Sequence, residues 1–423
     1  MANKSRIVTA IDIGSSKIAT LMAQVTQDPN SLEVSSSVIG VSSQESKGVK
    51  KGQIVDIEDA VETTIASVES AERMAGYSIG RAYVLVGGAH IASQNSTGIV
   101  AISDPDGEVS SDDVVRVIDA ARAISLSATR EVIHVLPREY IVDGESGVRD
   151  PVGMTGVRLE VDTHLVTAST AALKNLAKTV NEVGVDVEEM VFSGLAASWA
   201  TLSSTEKELG CALIDIGAGT TSIGAFVDGA LAYSGAIPIG ARNVTNDLAI
   251  GLRVSLDTAE KIKISLGKKA DGDAKREQYV EINESGGKEA KRISKRTLTE
   301  GIIRPRLSEI FNMVKLDLER AGIMNRIPSG LVVTGGGSLT VGLEDAAKRV
   351  MSLPVRVAKP SGVTGLVDDV LNPQFSAAVG LIKYAANVPD GGQGPSKSFG
   401  KKLKMPNTNI LSGIIETIKD LLP

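Results

Sequence analysis

An α/β architecture with a duplicated, two-lobed core and inserted subdomains follows from three features of this 423-residue chain. A glycine turn occurs twice: 10–25 reads AIDIGSSKIATLMAQV and 212–227 reads ALIDIGAGTTSIGAFV. Each copy sits in the same local order of apolar strand, glycine turn, strand, turn, strand and then helix. The copies stand roughly 200 residues apart, which is the signature of an internal repeat.

The first copy predicts strands over 6–13 and 17–25, a turn at Asp28-Pro29-Asn30-Ser31, a strand over 32–41 and a helix over 57–75. Between Ala82 and Thr167 the pattern changes. Short alternating runs (AYVLVG, TGIVAIS, REYIV, GVRLEV, THLVTA) surround one helix over 112–124, capped by Ser110 or Ser111. That is the pattern of a small inserted α+β domain. The second copy predicts strands over 211–216 and 221–227, an Asp228-Gly229 hairpin turn, a strand over 230–234 and a helix over 244–266. A strand over 330–333 leads into a third glycine cluster, Thr334-Gly335-Gly336-Gly337-Ser338.

A second insertion covers about 241–300. Residues 261–306 carry 13 Lys and Arg against 7 Asp and Glu, although the whole chain has a net charge of −6. A basic lobe on an acidic protein suits an acidic partner, and equally describes solvated helix faces. Residues 389–406, PDGGQGPSKSFGKKLKMP within its flanks, have the composition of a flexible linker. The expected division is 1–81, 166–204 and 363–388 for the first lobe, and 205–240 and 301–362 for the second. The inserted domain takes 82–165, the second insertion 241–300, the linker 389–406 and a terminal helix 407–423.

Composition narrows the function. Aromatics make up 3 % of residues, too few for the stacking platforms that bind single-stranded nucleic acid, and the net negative charge also argues against nucleic acid. The single cysteine, Cys211, forms no internal disulfide and fits a reducing, cytoplasmic setting. His90, His134 and His164 lack metal-ligand spacing. The N-terminus has no secretory pattern, and no window reaches the roughly 20 apolar residues that span a bilayer.

The chemistry lies in the turns. Glycine with Ser or Thr lets backbone N–H groups converge on an anion, and Cβ is excluded where the anion approaches closely. Asp12 and Asp215 each end a strand just before a turn, where a carboxylate holds hydrated Mg²⁺ or orients a water. Two such turns face to face would clamp a polyphosphate. No G-x-x-x-x-G-K-[ST] or G-x-G-x-x-G motif occurs, and each turn leads into a strand rather than opening a helix.

IDIGSSK, IDIGAGTTSI and VTGGGSL resemble the two phosphate loops and the adenosine motif of the actin superfamily of ATPases. AEKIKISLG, 259–267, is similar to the helix whose Glu and Lys touch the nucleoside, and IPIGARNVTNDLA, 237–249, to the segment after the second phosphate loop. HVLPREYIVDGESGVRDPVGMTGVRLEVDTHLVTA, 134–168, and ISKRTLTEGIIRPRLSEIF, 293–311, narrow the resemblance to the FtsA family of bacterial cell-division proteins, over residues 6 to about 388.

That resemblance implies ATP and Mg²⁺ as cofactors. It implies nucleotide binding by Asp12, Gly14, Ser15, Ser16, Lys17, Asp215, Gly217, Gly219, Thr220, Thr221, Gly240, Asn243, Glu260, Lys263, Gly335, Gly336, Gly337 and Ser338. Mg²⁺ would sit on the phosphates near Asp12 and Asp215, which would also position the water. Glu260 and Lys263 also suit an ordinary surface ion pair. Where superfamily relatives carry water-positioning polar residues, VFSGLAASWA, 191–200, offers only Ser193 and Ser198. Hydrolysis would be weak at most, and the nucleotide a conformational or polymerisation switch.

The resemblance further implies filaments on the inner face of the cytoplasmic membrane at the division site. There the protein would tether FtsZ through that partner's C-terminal peptide and recruit other division proteins. Lys288, Lys291, Arg292, Lys295, Arg296 and Glu300 would receive the peptide. In the tail, Ile410, Leu411, Ile414, Ile415, Ile418, Leu421 and Leu422 form one helical stripe, with Lys401, Lys402 and Lys404 just upstream. Thirteen residues make a helix of about 20 Å, too short to cross a membrane and suited to lying on anionic lipid or packing on a protein surface. Two alternatives are a PilM-like pilus-assembly relative and a small-molecule kinase of the same superfamily.

Overall fold

A computed structural model describes residues 4–28, 34–267, 279–283 and 290–387. The linker and terminal helix expected at 389–423, with Ile410 through Leu422 and the three upstream lysines, lie outside the described residues, as does Lys288.

The first lobe opens with β1 (Lys4–Ile13), β2 (Lys17–Gln27) and β3 (Val34–Glu45), a small hairpin of β4 (Val49–Lys50) and β5 (Gln53–Ile54), then α1 (Ile57–Ala75) and β6 (Arg81–Val86). Asp56 caps α1 by accepting from Asp59 N–H, and Gly76 ends it at φ +72°. The inserted domain comprises β7 (Ala92–Ala101), α2 (Ser111–Arg122), β8 (Arg130–Val142), β9 (Glu145–Val148) and β10 (Arg158–Ser169). Ser110 caps α2 in a reciprocal box with Asp113. The chain returns through α3 (Thr170–Glu182), β11 (Asp186–Phe192), α4 (Ser193–Thr201) and α5 (Ser204–Leu209).

The second lobe begins with β12 (Cys211–Ile216), β13 (Thr221–Val227) and β14 (Ala230–Ile237), followed by α6 (Ala241–Leu252) and α7 (Leu256–Gly267). Then come β15 (Tyr279–Asn283), β16 (Ala290–Ser294), α8 (Lys295–Leu298), a π-helical turn (Thr299–Ile303) and α9 (Arg304–Arg320). β17 (Leu331–Thr334), a 3₁₀ turn (Gly336–Leu339), α10 (Leu343–Met351) and β18 (Val355–Val357) complete the lobe. The last stretch holds β19 (Thr364–Gly365), α11 (Val367–Val370) and α12 (Ser376–Asn387), and α12 packs back on α4 and β1 of the first lobe.

The duplication is explicit in the sheets. The first runs β11-β6-β1-β2-β3-β19 and the second β14-β13-β12-β17-β18. In the first, β1 is antiparallel to β2 and parallel to β6. In the second, β12 is antiparallel to β13 and parallel to β17. The third strand of each repeated meander is antiparallel to the second, β3 to β2 and β14 to β13. At the β13–β14 hairpin, Asp228 and Gly229 both take positive φ, +54° and +82°, as the Asp-Gly pair predicts.

Three sequence expectations change. The single helix over 244–266 is two, because Arg253 adopts a left-handed φ of +57° and Ser255 accepts from Thr258 N–H to start α7. The inserted domain does not begin at 82: Arg81–Val86 is a fully paired strand of the core sheet, and the chain leaves that sheet after it. The strand expected over 32–41 runs Val34–Glu45.

Apolar clusters match this layout. One fills the second lobe, two cover opposite faces of the first lobe's sheet, and a smaller one, around Val117, Leu159 and Val161, lies in the inserted domain. The inserted domain also docks on the second lobe: Ser93 Oγ donates to Ser234 O at 2.7 Å, and His164 Nε2 lies 2.9 Å from Ser234 Oγ. Among the described residues no helix is long and apolar enough to cross a membrane.

Candidate functional site

The two glycine turns close in the same way. Gly14 N–H donates to Lys17 O at 3.0 Å, and Gly217 N–H donates to Thr220 O at 2.9 Å. A short turn between antiparallel strands leaves the intervening backbone facing outward, and both turns open into one cavity of about 750 Å³ between the lobes. They face each other across it. A Cβ on Gly219 would stand 2.9 Å from Ser15 Oγ and 3.0 Å from Lys51 N, so glycine alone permits this approach.

Asp12 and Asp215 hold equivalent positions, one residue before the end of β1 and of β12. Burial pushes the Asp12 carboxyl above its ordinary value, against the pull of Lys17. Burial first, and the neighbouring Asp12 charge second, push Asp215 up to about 7, again against Lys17. Lys17 is pulled down to about 8 by burial, although both carboxylates favour its charged form. Its buried Nζ has no hydrogen-bond partner among the described residues and lies 3.3 Å from the centroid of the Phe375 ring. A desolvated ammonium beside two carboxyls whose burial disfavours their charged forms is stabilised by an entering anion that brings a divalent cation.

The third cluster folds over the second turn. Gly335 has φ +83°, and a Cβ there would stand 2.2 Å from Asp215 Oδ1. Gly336 and Gly337 also line the cavity. On the facing helix, Lys263 Nζ donates to Glu260 Oε2 at 2.7 Å and to Thr245 Oγ1 at 2.8 Å. The Lys263 side chain is 10 % exposed and that of Glu260 42 %, so the lysine is walled in while its carboxylate partner stands at the cavity's solvent edge.

Of the sequence candidates, Asp12, Gly14, Ser15, Ser16, Lys17, Asp215, Gly217, Gly219, Thr220, Glu260, Lys263 and Gly335–Gly337 line the cavity. Four lie behind it instead. Thr221 Oγ1 donates to Ile239 O at 2.9 Å, and Ser338 Oγ donates to Gly335 O at 2.7 Å. Asn243 Oδ1 accepts from Gly240 N–H at 3.2 Å. A Cβ on Gly240 would meet Gly217 O at 2.6 Å, and Ala241 N–H and Arg242 N–H each donate to a carbonyl of the second turn. These four residues brace the loops and are not part of the cavity lining.

Neither serine of α4 is free. Ser193 Oγ lies 2.9 Å from Ser222 Oγ, and Ser198 Oγ donates back to Leu195 O. The structure adds Gly52, His90, Arg242, Thr245, Asn372 and Gln374 to the cavity lining. Gly52 N–H donates to Ser15 Oγ at 2.9 Å. Burial first, and Arg130 second, hold the His90 ring below its ordinary pKa. Arg242 and Thr245 lie on α6, within the segment 237–249 already singled out, whereas Gly52, His90, Asn372 and Gln374 reach the cavity from loops and a hairpin far apart in the chain and have no signal in the sequence pattern.

The basic lobe is distinct from this cavity. Arg292 pairs with Glu281 at 2.9 Å, Ser294 caps α8, where Lys295 and exposed Arg296 sit, and Glu300 pairs with Arg304. The Lys291 side chain lies outside the described residues.

Residues 88–167 match the family model of the SHS2 domain inserted in FtsA, and residues 212–380 match that of the cell division protein FtsA. The chain is 39 % identical to the cell division protein FtsA of Pseudomonas aeruginosa over 93 % of its own length and 92 % of that protein. It is 38 % identical to the FtsA of Borreliella burgdorferi over 89 % of its length and 90 % of that protein. Its fold is similar to a PilM-PilN type IV pilus biogenesis complex chain (TM-score 0.62, 16 % identity, 90 % of this chain and 99 % of that one). It is also similar to MreB5 of Spiroplasma citri bound to ADP (TM-score 0.52, 14 % identity, 90 % and 99 %).

Proposed function

The chain belongs to the FtsA family of cell division proteins, and from that premise we propose that it binds MgATP in the cleft between its lobes and uses it to control assembly on the membrane. The observation that carries the nucleotide reading is Lys17: a buried ammonium without a hydrogen-bond partner among the described residues, between two acid-tipped turns that face each other. Ser15, Ser16, Gly217, Gly219 and Thr220 would hold the phosphates, with Lys17 as counter-charge. Asp12 and Asp215 would take the waters of Mg²⁺. Gly335, Gly336, Gly337, Glu260 and Lys263 would hold the nucleoside. The ADP in the fold relative MreB5 supports this placement.

With Ser193 and Ser198 both engaged by neighbouring groups, this reading makes the nucleotide chiefly a switch and any turnover slow. Bound nucleotide would bridge the lobes and favour a closed shape that stacks into filaments, a head-to-tail contact that propagates. The terminal stripe of seven aliphatic residues would lie on the inner face of the cytoplasmic membrane. One such tail binds weakly, whereas a filament presents many at high local concentration. The basic lobe around Arg292, Lys295 and Arg296 would receive the acidic C-terminal peptide of FtsZ, so that filaments of that partner are tethered at the division site and other division proteins gather there.

Co-sedimentation with anionic liposomes tests the assembly. The full chain with MgATP should pellet and carry an FtsZ peptide with it. Ile414→Glu, Leu421→Glu or deletion from Pro406 should leave it in solution with MgATP binding intact. If the tail-deleted chain pellets as well as the full chain, the tether reading is wrong.

A further inference from the structure

His90 occupies the connection between β6, a strand of the core sheet, and β7, the first strand of the inserted domain. His90 lines the same cavity as Asp12, Ser15 and Lys17; the backbone of Gly87 and its own backbone lie beside the ring, and its buried Nδ1 has no hydrogen-bond partner among the described residues. A buried polar atom without a partner is costly unless something that enters the cavity supplies one.

The backbone of the same residue is tied to the root of the inserted domain. Arg130 donates to His90 O at 2.9 Å, to Thr167 O at 3.0 Å and to Thr167 Oγ1 at 2.9 Å. Thr167 Oγ1 donates onward to Ala92 O at 3.1 Å. Arg130 opens β8, Thr167 lies near the end of β10 and Ala92 opens β7. Arg130, at the head of β8, and Thr167 therefore join the strand that leaves the core and the one that returns to it with a residue that lines the cavity. The exit strand continues into α3, and Ala172 and Leu176 of that helix line the cavity as well.

The other side of His90 is packed without slack onto the first phosphate loop. Gly52 N–H donates to Ser15 Oγ, and a Cβ on Gly52 would stand 2.9 Å from Gly88 Cα. A Cβ on Gly88 would stand 3.2 Å from His90 Nε2. Close-packed contacts of this kind transmit displacement rather than absorb it.

We propose that His90 contacts the terminal phosphate of a nucleoside triphosphate and, through Arg130 and Thr167, couples occupancy of that position to the seating of the inserted domain. The proposal rests on the nucleotide reading above. Under that reading the third cluster and Glu260 take the nucleoside and the first glycine turn takes phosphate, and His90 reaches that turn through Gly88 and Gly52, so a triphosphate and a diphosphate would differ on the His90 side.

The chain has three histidines, so the ring resonances of His90 are readily assigned, with His134 and His164 as internal references. AMPPNP with Mg²⁺ should shift the His90 ring signals, and ADP with Mg²⁺ should leave them near their ligand-free positions. His90→Ala should weaken AMPPNP about tenfold and ADP less than about twofold, the size of one hydrogen bond to a charged group. His90→Gln, which keeps a donor, should recover most of the difference and serves if the alanine variant folds poorly. Hydrogen exchange in 92–101 and 158–169 should slow with AMPPNP relative to ADP in the full chain, and this difference should vanish in His90→Ala. Equal His90 shifts with both nucleotides, equal affinity losses, or an exchange difference that survives His90→Ala would overturn the proposal while leaving the nucleotide site in place. A full chain that binds neither nucleotide overturns the nucleotide reading, and this proposal with it.

Discussion

Lys17 Nζ lies 3.3 Å from the centroid of the Phe375 ring, so the one cation of the first glycine turn rests on an aromatic face of the returning C-terminal segment. A cation over a ring is held weakly compared with a charge-assisted hydrogen bond, and an anion entering the cavity competes it away. Lys17→Met should therefore weaken MgATP binding by about 100-fold, the loss of roughly 3 kcal/mol of charge-assisted hydrogen bonding. The ligand-free thermal midpoint should change by no more than about 3 °C. Calorimetric titration alongside a melting curve separates the two effects; unaltered affinity would move the phosphates away from Lys17.

Asp215 gives the ligand-free protein a pH signature. Its ordinary value of 3.8 rises to about 7 in the folded chain, by burial and then by Asp12. Between those values the folded state keeps a proton that the unfolded chain releases, so this group's contribution makes stability fall as pH rises from about 4 to about 7. Above that window its effect is constant. Asp215→Asn should flatten the slope in denaturant midpoints measured across pH, and an unchanged slope would place the titrating group elsewhere.

Neighbouring glycines of the third cluster should respond differently to alanine. At Gly335 the φ of +83° and a Cβ 2.2 Å from Asp215 Oδ1 combine strain with a clash. Gly335→Ala should lower stability by about 2 kcal/mol or more. At Gly336 the nearest atom to a new Cβ is Gln374 Cβ, at 3.6 Å. Gly336→Ala should fold with a melting temperature near that of the parent and lose nucleotide affinity several-fold, because the methyl borders the cavity. Equal stability losses at the two positions in parallel melts would contradict this geometry.

Charge reversal tests the basic lobe. Lys295→Glu with Arg296→Glu should slow association with the FtsZ C-terminal peptide, most strongly at low ionic strength, because charges near the surface act mainly on encounter. MgATP binding should be unaffected, since neither residue lines the cavity. Affinity that stays constant across a salt series would locate the peptide on another surface.

The local elements were legible in the chain because they are specified by neighbours in sequence. The two strand–turn–strand units, the Asp228-Gly229 hairpin and the cap of α2 at Ser110 follow from alternation and turn chemistry acting over a few residues. The resemblance of IDIGSSK and IDIGAGTTSI also placed Asp12, Lys17 and Asp215 at one site, and the structure brings them to one cavity. The break at Arg253 escaped notice because the apolar spacing of α6 and α7 continues across it, and nothing local marks a left-handed arginine. Which candidates face the cavity was beyond the reach of pattern. Thr221 and Thr220 are adjacent in sequence, yet Thr221 opens the fully buried strand β13 and donates to Ile239 O, whereas Thr220 closes the turn and lines the opening. His90, Gly52 and Gln374 come to the site from separate loops, and their meeting depends on how two lobes, a hairpin and a returning helix pack. The chain's local chemistry thus carried the repeated turns and the identity of their acids. The pairing of loops across the cleft, the burial that pushes Asp215 up and the unpartnered state of Lys17 arise only from long-range packing, because desolvation is set by what folds over a group and not by the residues beside it.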